Sequence, residues 1–176
     1  MSKEHRSQKI FLKLLVVLAL SGFVVINIVW FFKELKPYLY YQDRLNGKVF
    51  AAERDRLLYD GENYCYYVCY PTYLRWCTGN LSIAAPLEEK EVLEDGQTLY
   101  VANNSLLIWL NDYDGSIRDI GVTVELNDRA YDVYVENSTT ARYPDQQWVV
   151  DESLDIIAML FNKAEEAWDI EMPWGE

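Results

Sequence analysis

In 176 residues the chain carries 51% hydrophobic and 15% aromatic residues, which argues against disorder and supplies the core of one ordinary domain. Its 28 acidic and 16 basic residues give a formal net charge of −12. A surface of that sign repels phosphate backbones and excludes a nucleic-acid partner from the expected functions. The charge is unevenly spread: residues 1–32 carry a net +3, residues 33–85 a net +1 and residues 86–176 a net −16. An acidic surface suits solubility beside a membrane and would also attract a basic partner.

The first element is an apolar run. Leu14 to Phe32 are 19 residues without a charge, with only Ser21, Gly22 and Asn27 not clearly apolar. At about 1.5 Å per residue they match a hydrocarbon core of roughly 30 Å, so residues 10–32 are expected to form a single transmembrane helix behind a basic tail, residues 1–9. Ala19-Leu20-Ser21 has the small-x-small pattern of a signal-peptidase site. The apolar run continues well past it through Phe23–Phe32, so an uncleaved anchor is the expected form. Basic residues are nearly balanced across the run, with Lys3, Arg6, Lys9 and Lys13 before it and Lys33, Lys36, Arg44 and Lys48 after it. The long, acidic, cysteine-bearing C-terminal part tips the expectation toward a cytoplasmic N-terminus and an extracytoplasmic domain, because long domains translocate largely regardless of charge. Trp30, Phe31, Phe32, Tyr38, Tyr40 and Tyr41 would form the outer interfacial belt. Asn27 is the one strongly polar group in the span, a candidate contact to a second transmembrane helix and hence to a homodimer through the anchor.

Residues 33–59 read as a juxtamembrane stalk, with Pro37 stopping the membrane helix and Val49–Leu58 charged and helical in composition. The domain proper is expected over residues 60–176. Tyr64–Tyr70 is a strong strand signal, and Tyr73–Thr78 is expected to return antiparallel to it. Residues 86–95 fit either a short helix opened by Pro86 or a hairpin turning at Asp95-Gly96. Strand runs follow at Leu99–Ala102 and Leu106–Leu110. The clearest hairpin pairs Val122, Val124 and Leu126 with Tyr131, Val133 and Val135 across a turn at Asn127-Asp128-Arg129. Both of its strands have one apolar and one polar face, so the sheet is expected to be solvated on one side. A last helix runs from about Glu152 to Trp168, with Asp151 as N-cap and Leu154, Ile157, Phe161, Ala164 and Trp168 as its apolar stripe.

Cys65, Cys69 and Cys77 fall within 13 residues, at spacings that fit neither a zinc ribbon nor a two-residue redox motif. Along one strand Cys65 and Cys69 stand about 13 Å apart, too far to bridge. In an oxidising compartment the expected disulfide is Cys65–Cys77, with Cys69–Cys77 as the alternative. Either leaves one spare cysteine, buried or linking two chains.

Catalytic signals are thin. The only histidine is His5, before the anchor, so histidine-based triads and dyads are excluded from the domain. No phosphate-binding loop or dinucleotide fingerprint is present. Asp112–Ile117 fits the middle of a calcium-binding loop, but the anchoring ligand positions then fall on Leu110 and Gly121, and a turn at Asp114-Gly115 is the better reading. The three Asn-x-Ser/Thr matches at Asn80, Asn103 and Asn137 read as turn asparagines. No catalytic residue, cofactor or metal ligand is therefore assigned.

The expected fold is α+β: a single transmembrane helix followed by a small antiparallel-sheet domain with a C-terminal amphipathic helix on one face. The expected role is binding or assembly, as an accessory subunit of a membrane or cell-envelope complex. Its partners would be membrane lipid through the anchor and another membrane or envelope protein, with Tyr64, Tyr66, Tyr70 and Tyr73 as the candidate binding surface. The alternative is a carboxylate-dependent envelope glycan hydrolase, in which paired acids act beside sugar-stacking aromatic rings.

Overall fold

The computed structural model describes residues 3–45, 48–53, 56–60, 63–74, 80–92, 96, 98–111 and 115–175. The chain is α+β: a long N-terminal helix, an antiparallel sheet and C-terminal helices. Helix α1 spans Lys3–Trp30 and runs through a π-helical turn, Phe31–Leu35, into α2, Lys36–Gln42. It is long and apolar enough to cross a membrane, and its most apolar stretch is not buried against the rest of the chain. Pro37 does not stop it. A proline removes one N–H and crowds the carbonyl four residues back, which breaks a regular helix. Here the widened turn absorbs that conflict, with the Lys36 N–H donating to the Phe31 carbonyl five residues earlier.

Among the described residues eight strands follow in one sheet, each paired antiparallel with the next in sequence order. They are β1 Lys48–Glu53, β2 Arg56–Asp60, β3 Cys65–Cys69, β4 Leu81–Val92, β5 Thr98–Leu110, β6 Ile117–Leu126, β7 Arg129–Asn137 and β8 Thr140–Ala141. The charged Val49–Leu58 stretch, expected to be a helical part of a stalk, thus forms most of two strands. A paired edge at β3 overrides its local composition, and Val49, Phe50, Leu57, Leu58 and Tyr59 are good strand formers. The strand that returns along β3 is β4, not Tyr73–Thr78. Tyr73 and Leu74 lie in a turn, and 75–79 is outside the described residues. The stretch 86–92 continues β4, which settles the choice between helix and hairpin in favour of the hairpin. Past it, Gly96 takes the left-handed φ of +81° that a tight turn needs. Asn127 and Asp128 both take positive φ, giving a two-residue turn that pairs Leu126 with Arg129.

Alternation builds the core. Leu81 and Ile83 on β4, Leu106 and Ile108 on β5, Ile120 and Val122 on β6, and Val133 and Val135 on β7 lie opposite one another across the strands and are all buried. Two helices follow, α3 Gln147–Glu152 and α4 Leu154–Trp168. Ile157, Leu160, Phe161, Ala164 and Trp168 of α4 close this apolar face, and Tyr38 and Tyr41 of α2 join the same core. Two details of the last helix differ from expectation. Leu154 is 41% exposed while Leu160 is fully buried, so the buried stripe is rotated slightly from the sequence pattern. Asp151 does not cap α4, because it already lies in α3 and accepts from Gln147 Nε2 at 2.8 Å. Ser153 breaks the two helices apart, its hydroxyl donating to the Val149 carbonyl at 2.6 Å.

Candidate functional site

The four tyrosines singled out from the sequence do not form one surface. Tyr66 is core, packed edge-on against Trp168 with centroids 6.0 Å apart. Tyr64 is half-buried beneath the Lys163 ammonium, which sits 4.9 Å from its ring centroid. Tyr70 and Tyr73 are exposed and lie along the long helix. Tyr70 stands edge-on to Tyr38 at 5.1 Å, and Tyr73 edge-on to Trp30 at 5.4 Å. The Tyr73 hydroxyl donates to Asn27 Oδ1 at 2.6 Å, while Asn27 Nδ2 donates to the Phe23 carbonyl at 2.7 Å. Asn27, expected to reach for a second helix, is satisfied inside its own chain.

Cys65 is buried and Cys69 half-buried on β3, four positions apart on one strand. Their cross-strand neighbours are Asp60 and Ala84 for Cys65, and Arg56 for Cys69. Cys77, the shared member of both expected disulfides, lies outside the described residues.

A different face emerges from the register. Leu107, Gly121 and Tyr134 are directly opposite one another across β5, β6 and β7, on the side of the sheet turned away from α4. Gly121 has no side chain, so Trp109 leans over it toward Tyr134. The two rings stack at 5.7 Å and 29°, and a Cβ on Gly121 would come 3.0 Å from the indole. Tyr143 adds an edge-on contact to Tyr134 at 6.5 Å. Tyr134 and Tyr143 remain 40% and 50% exposed, so the aromatic cluster is open to solvent. Thr123 and Asp132, joined by a 2.7 Å hydrogen bond, form its polar margin.

Beside the cluster runs an open groove of about 670 Å³, whose walls include Arg118, Asp119, Glu136, Arg142 and Glu171. Asp119 accepts from Arg142 at 2.6 Å and from Arg118 at 2.9 Å. The Arg142 hydrogen bond, against a smaller opposing effect of burial, holds the Asp119 carboxyl below the usual carboxylate range. That carboxylate stays ionised at neutral pH and cannot serve as a general acid there. Arg142 also donates its backbone N–H to the Tyr134 carbonyl at 2.8 Å, which fixes the ion pair to the edge of the aromatic cluster. Among the described residues no three His, Cys, Asp or Glu side chains gather as metal ligands. The arrangement offers aromatic stacking and charged hydrogen bonding.

In the sequence, this face was signalled by aromatic residues at positions that alternation assigns to solvent. Tyr134 shares the exposed face with Asp132 and Glu136 and alternates with the buried Val133 and Val135, and Trp109 alternates with the buried Ile108 and Leu110. The chain matches no family model, no curated protein and no solved structure.

Proposed function

We propose that the chain is a single-pass membrane protein with a cytoplasmic N-terminus, whose extracytoplasmic sheet domain acts in binding or assembly as an accessory subunit of a membrane or cell-envelope complex. The observation that carries this reading is the open aromatic cluster Trp109–Tyr134–Tyr143 on a sheet whose other face is closed by α4. Exposed, mutually braced aromatic rings are typical anchors of protein interfaces. With Arg118 and Arg142 paired to Asp119, and Asp132 and Glu136 alongside, the rim carries charges of both signs and suits a partner surface with an apolar centre and a polar margin. For glycan hydrolysis Asp119, held ionised by Arg142, could not serve as the general acid, and that role would fall to another groove carboxyl.

The test is a photo-crosslinking amino acid placed at Tyr143 or, as a control on the helix side, at Glu166, in cells expressing the full chain. A discrete adduct with a second envelope protein from position 143, lost when Trp109→Ala is added, is the expected result. Equal adducts from both positions, or none from position 143, would overturn the proposal.

A further inference from the structure

We infer that the turn after β3, Tyr70–Leu74, is a second membrane-contacting element that seats Tyr73 and Leu74 in the outer interface of the bilayer crossed by α1. This rests on the membrane-anchored reading above. The argument is one of depth. A span needs roughly 20 residues, so whichever window of Ile10–Phe32 fills the hydrocarbon, Asn27 ends up only about 3 to 8 Å inside its outer boundary. The Tyr73 hydroxyl is hydrogen-bonded to Asn27 at 2.6 Å and its ring packs on Trp30, so the turn is fixed at that level. A group held there meets acyl chains and glycerol, not bulk water.

The residues suit that position. Tyr64 through Leu74 is an uncharged stretch of 11 residues. Tyr70, Tyr73 and Leu74 are 48%, 53% and 41% exposed, an unusual display of apolar surface for a turn in water. Phe31 and Phe32, equally exposed, continue the same band on the helix. Tyrosine is favoured at the interface, where its ring enters the acyl boundary and its hydroxyl keeps a polar partner. Here the partner is Asn27, which would otherwise carry an unsatisfied amide oxygen into lipid. Leu74 takes a positive φ of 59°, which turns the chain sharply at this level. The bilayer, rather than a partner protein, is the occupant argued for, because the turn is continuous with the membrane-spanning surface of its own chain.

The experiment uses the full chain in phosphatidylcholine–phosphatidylglycerol vesicles, with a genetically encoded environment-sensitive fluorophore at one position per sample. Nitroxide-bearing lipids quench what lies among their acyl chains. Position 28 reports the anchor, position 74 the turn and position 129 the opposite end of the sheet, where β7 begins. The expected losses at 74 and 28 are comparable, and several times that at 129. Adding Asn27→Leu should reduce the loss at 74 and leave that at 28 unchanged. Quenching at 28 without quenching at 74 overturns the inference and leaves the anchor standing. No quenching at 28 overturns the membrane reading itself, and the inference with it.

Discussion

Two leucines six residues apart on α4 separate the packing read from periodicity from the packing in the fold. Leu154 belongs to the apolar stripe by sequence yet is 41% exposed, whereas Leu160 lies outside that stripe and is fully buried. They are about 120° apart around the helix. Leu160→Ala removes buried methyl groups and leaves a cavity against the sheet, which costs about 3 to 4 kcal/mol. Leu154→Ala loses only part of a transfer term and creates no closed cavity, and alanine's better helix propensity offsets a little more, leaving about 1 kcal/mol. The gap of about 2 to 3 kcal/mol is a difference of roughly 30- to 150-fold in the unfolding constant. Denaturant unfolding of the full chain in nanodiscs measures it through tryptophan emission, since Trp168 sits in this core and Trp174 packs on Phe161 at 5.5 Å. Both variants should keep the wild-type denaturant slope and shift only the midpoint. A Leu154→Ala cost equal to or above that of Leu160→Ala would refute the register of α4 on the sheet.

Other outcomes follow from single contacts. Asp119 has a lowered carboxyl pKa in the fold, so its contribution to stability is complete above the ordinary value of 3.8 and is lost as pH falls through the lower folded value. Asp119→Asn should therefore lower stability by a constant amount from neutral pH down to about 4, with the gap to wild type closing only at more acid pH in denaturant melts. Asn104 is buried and its Oδ1 accepts the Glu125 N–H at 2.9 Å. Asn104→Leu should cost about 1 to 3 kcal/mol by stranding that donor, and should speed hydrogen exchange at the Glu125 amide ahead of its β6 neighbours. Gly121→Val should displace the Trp109 indole and change the near-ultraviolet circular dichroism, with partner crosslinking from position 143 reduced.

How much of this was legible depended on whether the deciding contact was local. The apolar run of α1 and the alternation of β6 and β7 carry their information within a few residues, and both formed as expected. The strands β1 and β2 were misread because Glu53, Arg54, Asp55 and Arg56 look like a helical surface, while what fixes them is the distant edge of β3. The Asn27–Tyr73 bond joins residues 46 positions apart, so a polar residue in an apolar helix pointed outward to another chain when its partner lay in its own. The exposed aromatic positions were legible one strand at a time, but their meeting in a cluster was not, for the same reason. Trp109 and Tyr134 meet only because Gly121 stands between them on a neighbouring strand, and no single strand pattern contains that relation.

Strand direction links the candidate face to the long helix α1. β3 runs toward the Tyr70–Leu74 turn beside α1, so its antiparallel neighbours put the end of β5, the start of β6 and the end of β7 at that same end of the sheet. Trp109, Asp119 and Glu136 belong to those ends, and the turn Asn127-Asp128 belongs to the opposite one. The C-terminus of α4 is tied to the same end, with Arg44 after α2 donating to the Trp168 carbonyl at 3.0 Å and pairing with Asp169 at 3.0 Å. Arg44 there also opposes the negative pole of the helix, which adds to a contact that would contribute little as a surface ion pair alone. The long helix is therefore not tethered loosely. Tyr38 and Tyr41 bind it into the domain core, Arg44 ties it to the end of α4, and the groove opens at the end they hold. Under the proposed membrane-anchored reading, this placement puts the aromatic cluster at the end of the sheet nearest α1, which is where a membrane-embedded partner would meet it.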